Sequence, residues 1–459
     1  NEDSYNDGNY FQNDAQTKVS VNTLYNSPWY DFLSRGYYKI PEALSGNLLL
    51  GGSPYANFTV NGSDEDMKST SNSLWAVNAQ ANTIYNRLKT ANASESVKNT
   101  AMGECLAWKA MAYFYLVRIF GEVPIVHDNS SEIAAGNYNE KYKVKAADIY
   151  EYIIMTLEKA IELLPEENQA GRIDRWAAKG LLAKVYLTLG KYTEAKSLLK
   201  AVVDVKGDQL TVSYSDVFDI SKEMNDEIIF AVRYKSGSLG IGSPFANTFA
   251  PTKSGANVVT GDGDGRNYPT TEVLGIYPEG DLRKEVSVSD HYIDPSKKDP
   301  VVISNQSAYI KKFVSPVSVR YDAENDWPVI RHADVLLMYA EVLNKIDGPA
   351  AGLPYLNEVR RRAGLGAIDI SEVPVRSAFR EKLEKERRLE LAFENQRWFD
   401  LVRWGKALET INKQITETES FYGEYAFTVN PMAEWQLLLP IPQSVIDNNP
   451  SVITQNPHY

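Results

Sequence analysis

The sequence is short of the residue types that most often announce chemistry. It holds one cysteine, Cys105, so an intrachain disulfide is excluded. Its four histidines, at positions 127, 291, 332 and 458, are too far apart in sequence for metal-ligand spacing, and no cofactor motif stands out. No Gly-x-Ser-x-Gly, His-Glu-x-x-His or Cys–His pattern occurs, and the 60 acidic residues show no spacing that singles out a hydrolytic pair. The expectation is therefore binding rather than catalysis. Basic runs are also missing: the net charge is −12 with no Lys/Arg block, which argues against nucleic acid as a partner. The most apolar run, "CLAWKAMAYFYLV" at 105–117, contains Lys109 and is followed by Arg118. It is too short and too charged to span a bilayer and reads as a core helix. The opening "NEDSYNDGNY" lacks apolar periodicity and reads as a tether.

What the sequence does have is length and helical pattern. Its 459 residues, 43% hydrophobic, would make about three domains' worth of chain and can bury a large core. Apolar residues recur at helical spacing over about 72–205 and 331–412. Residues 235–328 are instead rich in Gly, Ser, Pro, Asn and Asp, with short β-like pieces such as "AYIKKFV", and "EIIFAVRY" lies just before them. Segment 41–70 has the same irregular character. Helices thus read as scaffold, and two irregular regions as the working surface.

The stretch "LEKERRLELAFENQRWFDLVRWGKA", 383–407, crowds charges beside aromatic and leucine positions. On a helix, Leu389, Leu391, Ala392 and Phe393 sweep more than half the circumference, while Glu386, Arg387, Glu390 and Glu394 share the remaining wedge. A helix that apolar is buried on most sides, so its charges are expected in pairs. Glu384 and Arg388 stand at i,i+4, and Asn395 can end the helix in a left-handed cap. The stretch therefore reads as framework.

Between 175 and 204, Leu182, Ala183, Tyr186, Gly190, Tyr192, Ala195, Leu199 and Val202 fall at the offsets of a tetratricopeptide repeat. "ADIYEYIIMTLEKAIELLPE" reads as the second helix of another such hairpin, and "RHADVLLMYAEVLNK" with "GLPYLNEVRRRAG" as a further pair.

Taken together and in order, "NYFQNDAQTKVSVNTLYN", "AYFYLVRIFGEVPIV", "RWAAKGLLAKVYL", "PVIRHADVLLMYAEVLN", "EKERRLELAFENQRWFDLVRWGKA" and "LLPIPQSVIDNNPSVITQNPHY" resemble the SusD/RagB family of surface nutrient-binding lipoproteins. Asn395 stands where the family commonly has Gly. The resemblance implies a mainly α fold over the whole chain. Four tetratricopeptide-like hairpins would support an irregular, loop-rich half with a few short β-strands, and 413–459 would form a C-terminal tail. It implies no catalysis. It implies binding of oligosaccharide or polysaccharide, delivery to a SusC-like TonB-dependent transporter, and attachment to the outer membrane through a lipidated cysteine upstream of Asn1. A peptide-binding member of the family and, further off, a tetratricopeptide adaptor are the rival readings.

Neutral sugars stack their C–H faces on aromatic rings, and polar side chains take the hydroxyls. Useful rings must therefore sit in loops. Tryptophans 75, 108, 176, 398, 404 and 435 lie in framework stretches; Trp29 and Trp327 are the exceptions, and packing against the repeat is the alternative role for Trp327. The loop "SPYANFTVNGSDED" offers Tyr55, Phe58 and Asn61. The run "GDGDGRNYP" fails as a calcium loop, since position twelve from Asp262 is Val273, and it lacks the Lys-Ser/Thr of a P-loop. It reads as a flexible turn that exposes Tyr268 beside Arg266. The ligand-binding candidates are Tyr55, Phe58, Asn61, Arg266, Tyr268 and Trp327.

Overall fold

A computed structural model describes residues 11–26, 39–50, 53–136, 141–265, 267–293, 308–417 and 430–459. The longer helices, in chain order, are α1 (Glu65–Leu88), α2 (Glu95–Phe120), α3 (Ala146–Leu163), α4 (Arg175–Thr188) and α5 (Tyr192–Lys206). They continue with α6 (His332–Ile346), α7 (Pro349–Arg362), α8 (Arg376–Glu390), α9 (Arg397–Arg403) and α10 (Ala407–Thr416). Among the described residues, six short strands pair two by two: β1 (Leu48–Leu49) with β3 (Tyr268–Pro269), β2 (Ile228–Val232) with β6 (Trp327–Arg331), and β4 (Val288–Ser289) with β5 (Tyr309–Ile310), all antiparallel. The fold is mainly α, as expected. Among the described residues, no helix is long and apolar enough to cross a membrane.

The chain divides into two compact units, one drawn from Asn1–Leu33, Asn61–Val185 and Leu438–Tyr459, the other from Ser34–Val60 and Tyr186–Leu437. In the first, α2 packs against both α1 and α3. Its residues from Ala101 to Phe120 are buried almost without interruption, as a helix apolar all round requires. Gly103 lets α3 end against it, because a Cβ there would sit 2.7 Å from Leu164 Cγ. α1 begins at Glu65, earlier than the pattern suggested, because the Asp64 carboxylate accepts from the Met67 N–H at 2.8 Å and caps the helix. The C-terminal tail closes this unit: Asn456 Nδ2 donates to the carbonyls of Phe120 (2.9 Å) and Leu439 (2.7 Å).

In the second unit, α6 packs against α5, α7 and α8. The turn before α5 uses Gly190 at φ +69°, where the repeat spacing placed it. Gly352 brings α7 close to α6, since a Cβ there would lie 2.5 Å from the Ala340 carbonyl.

The wedge of charge on α8 and the turn after it is buried and paired. Arg331, at the end of β6, reaches Glu394 (2.7 Å), Glu227 (2.7 Å) and Glu390 (2.6 Å). Arg362 joins Glu227 at 2.6 Å and also contacts Glu390, while Arg283 contacts Glu386 at 2.7 Å and Glu390 at 3.1 Å. Burial alone would raise the Glu390 pKa, but Arg362, Arg331 and Arg283 hold its carboxyl far below the usual range. Asn395 is left-handed at φ +59°, but it does not cap the helix: α8 already ends at Glu390, with Leu391 as its C-cap, and Asn395 lies at the end of the turn that follows. One pairing differs from expectation: Glu384 bonds Arg380 at 2.7 Å, and Arg388 turns away to Glu272. A carboxylate fixed by tertiary packing outcompeted the i,i+4 neighbour.

Candidate functional site

The irregular part of the second unit is built around three phenylalanines and a tryptophan. Trp327, the first residue of β6, is 0% exposed, and Phe313 stacks on it at 4.7 Å between centroids with an interplanar angle of 16°. Phe245 lies 4.7 Å away at a tilt of 52°, and Phe249 packs on Phe245. Trp327 therefore takes the packing role and presents no open ring face.

The run 261–265 is not a flexible turn. A Cβ at Gly263 or Gly265 would overlap the backbone at Ala250 or the side chain of Thr252, so the loop is laid directly on 250–252. Asp262 fastens it: its carboxylate accepts from the N–H groups of Gly263 (2.8 Å), Lys253 (3.0 Å) and Gly255 (3.0 Å). Partial burial would raise the Asp262 pKa, yet these donors lower it. Tyr268, expected in the open, is 9% exposed, because β3 pairs it with Leu49 and its hydroxyl donates to the Gly265 carbonyl.

The loop 53–60 tells a similar story. Tyr55 is buried, and Phe58 is nearly so, with φ at +55° and its carbonyl accepting from Gln436 Nε2 at 2.7 Å. A left-handed aromatic is an unusual, costly conformation. Asn61 is exposed, and its side-chain Oδ1 accepts from the Ser63 N–H at 2.9 Å, turning the chain toward α1. Trp29 and Arg266 lie outside the described residues.

An exposed ring does occur on the irregular part of this unit, at a position the sequence reading passed over. Tyr321 is 38% exposed and left-handed at φ +63°. Asn247, fully buried, accepts from the Tyr321 N–H at 2.8 Å and donates to the carbonyls of Thr260 and Asp262, both at 2.9 Å. That one side chain ties the ring's backbone to the 261–265 loop. The Arg320 guanidinium lies 4.8 Å from the Tyr321 ring centre, and Asp264 accepts from Arg320 at 2.7 Å and from the Tyr321 hydroxyl at 2.5 Å. Burial and the neighbouring Asp264 carboxylate push the phenol pKa up. Gly261, at φ +80°, leaves room for Arg320: a Cβ there would stand 2.9 Å from Arg320 Cβ. The result is a solvent-facing ring braced by a cation and a carboxylate. These are the elements needed to stack a neutral ring and bond its hydroxyls.

Comparison with known proteins follows the same line. The family model described as the SusD family matches residues 289–459, and one described as starch-binding and associating with the outer membrane matches residues 56–187. The chain belongs to the SusD family. A SusD-like protein of Bacteroides ovatus strain ATCC 8483 is 25% identical, covering 98% of this chain and 92% of the relative. A SusD superfamily structure from Parabacteroides distasonis ATCC 8503 superposes with a TM-score of 0.80 at 26% identity, over 97% of this chain and 98% of that one. A structure described as a laminarin-binding SusD-like protein gives 0.78 at 25% identity, over 98% and 100%. The SusD-family fold thus accounts for the hairpins and for the irregular segments between them.

Proposed function

We propose that the protein binds an oligosaccharide or polysaccharide at the cell surface without altering it chemically, and passes it to a SusC-like TonB-dependent transporter in the outer membrane. The observation that carries the reading is similarity along nearly the whole chain to a laminarin-binding SusD-like protein. The family description as associating with the outer membrane supports the location. A lipid anchor upstream of the polar N-terminal segment belongs to the same proposal, with the family as its support. On this chain the sugar stacks on Tyr321, with Arg320 and Asp264 bonding hydroxyls. Tyr55, Phe58, Tyr268 and Trp327 hold the loops in place.

Isothermal titration with laminari-, malto- and xylogluco-oligosaccharides, and with peptides as the control class, tests this. Saturable binding of at least one glycan, lost in Tyr321→Ala, is the expected result. Binding of peptides alone would move the protein to the rival reading, and glycan binding unchanged in Tyr321→Ala would move the site.

A further inference from the structure

The framework stretch that buries Glu390 turns its other side to an open cavity of about 600 Å³ in the second unit, lined by residues of α8, α9, α10 and the segment around Glu272. Its size is ordinary for a small-molecule site. Two side chains in its wall lack the partners their chemistry demands. Gln414 on α10 is fully buried, and among the described residues neither its amide nitrogen nor its oxygen has a hydrogen-bond partner. Buried amides are almost always satisfied, so an orphan of this kind calls for a partner outside the chain. Its carboxamide lies over Gly46 at φ +74°, where any side chain would overlap it.

The second is Arg397. Its Nε donates to the Ser45 carbonyl at 3.2 Å, one residue before Gly46, yet among the described residues its guanidinium has no ion pair. Three carboxylates act on it electrostatically, and each is committed elsewhere. Glu272 is held by Arg388, and Asp400 is shared between Arg387 (2.8 Å) and Arg403 (2.9 Å). Glu42 accepts from Asn47 and from the Asn395 N–H, and burial pushes its pKa up to about 7. Burial and the facing Arg388 lower the Arg397 pKa to about 9, the mark of a cation short of counter-charge. The turn 45–47 gathers the group, since Asn47 Oδ1 also accepts from Arg388 Nε at 3.2 Å.

We propose that this cavity binds a sugar-sized oxyanion, a uronate or a sulfated monosaccharide unit, with the Arg397 guanidinium taking the anionic group and the Gln414 amide a neighbouring hydroxyl. A planar guanidinium fork matches carboxylate and sulfate alike. Lys413, exposed on the rim, adds attraction; Glu381 and Glu409, also exposed there, oppose it, so the selectivity rests on Arg397. The inference is separate from the sugar surface at Tyr321.

The test is titration of the whole protein with D-glucuronate, glucose 6-sulfate and glucose. Saturation by either anion but not by glucose is expected, and which anion binds names the oxyanion. Arg397→Gln should lower the affinity at least tenfold. Because that change also touches the Ser45 turn, Lys413→Glu is the companion: an unchanged melting temperature with a several-fold loss of affinity. Tyr321→Ala should leave glucuronate binding intact while abolishing binding of the neutral oligosaccharide, which separates the two sites. The proposal is overturned if neither anion saturates, if glucose binds as well, or if both Arg397→Gln and Lys413→Glu bind like the parent.

Discussion

Two clusters in the second unit are made of the same materials and do opposite work. Around Arg331, guanidinium groups, carboxylates and Tyr214 are sealed from water. Around Arg320, a guanidinium, the Asp264 carboxylate and Tyr321 stand at the surface. In the sealed cluster every charge is answered by another, because an unanswered one would cost several kcal/mol. The open cluster is paired as well, through Asp264, but its side chains also face solvent and can exchange water for a ligand. Composition does not distinguish structural from binding clusters; coverage does.

The comparison breaks most visibly at its sealed end. Arg331→Ala removes the cation that Glu227, Glu390 and Glu394 share, leaving them to Arg362, Arg283 and Lys312, and should cost at least about 4 kcal/mol of stability, or prevent folding, as read by urea denaturation. Trp327→Ala should cost about 3–5 kcal/mol, because Phe245 and Phe313 lose the ring they pack on, while the oligosaccharide affinity of the folded protein stays unchanged. Acid sharpens the same contrast. Burial would raise the Glu341 pKa, but Arg403 at 2.6 Å holds it at about 2, below its ordinary value near 4.5. A depressed carboxylate stabilises the fold above its unfolded pKa, so this contribution, of order 3 kcal/mol, is lost as pH falls from about 4.5 toward 2. A melting series over that window should show the loss, and Glu341→Gln should flatten it. Tyr321→Ala comes last: a stability change within about ±0.5 kcal/mol, measured by the same denaturation, but a loss of at least about 2 kcal/mol in glycan binding, roughly thirtyfold or more, which removes it from the titration.

Local pattern was enough for the helices. The all-round apolar character of 105–117 marks α2, and the small residues about Gly190 mark the α4–α5 turn; the end of α8 was misplaced, since the helix stops at Glu390 and not at Asn395. The paired state of Glu386, Arg387, Glu390 and Glu394 also followed from counting angles. What escaped was decided by distant chain. Trp327 is covered by rings from 245 and 313, and Tyr268 is taken out of solvent by a strand at 48–49. The glycines of 261–265 looked like freedom and turned out to be clearance for close packing. Tyr321 carries no local signal at all. Its exposure depends on Asn247, far back in the sequence, holding its backbone in a left-handed turn.

The pairing of β2 with β6 has a consequence for how such a protein can change. Val232 stands opposite Trp327, so residues 233–326 leave the helical framework and return to it at a single rung. A replacement of that whole length would also have to keep its other ties to the unit, β3 on β1, Arg283 on Glu386 and Glu390, Glu272 on Arg388 and Lys312 on Glu394. The rung where the segment leaves and returns adds two conditions: strand ends that keep the Val232–Trp327 register, and an aromatic plug in the place of Phe245 and Phe313 to lie against the tryptophan. Between those fixed points the exposed loops, the turn that carries Tyr321 among them, can change while the helices below keep their sequence.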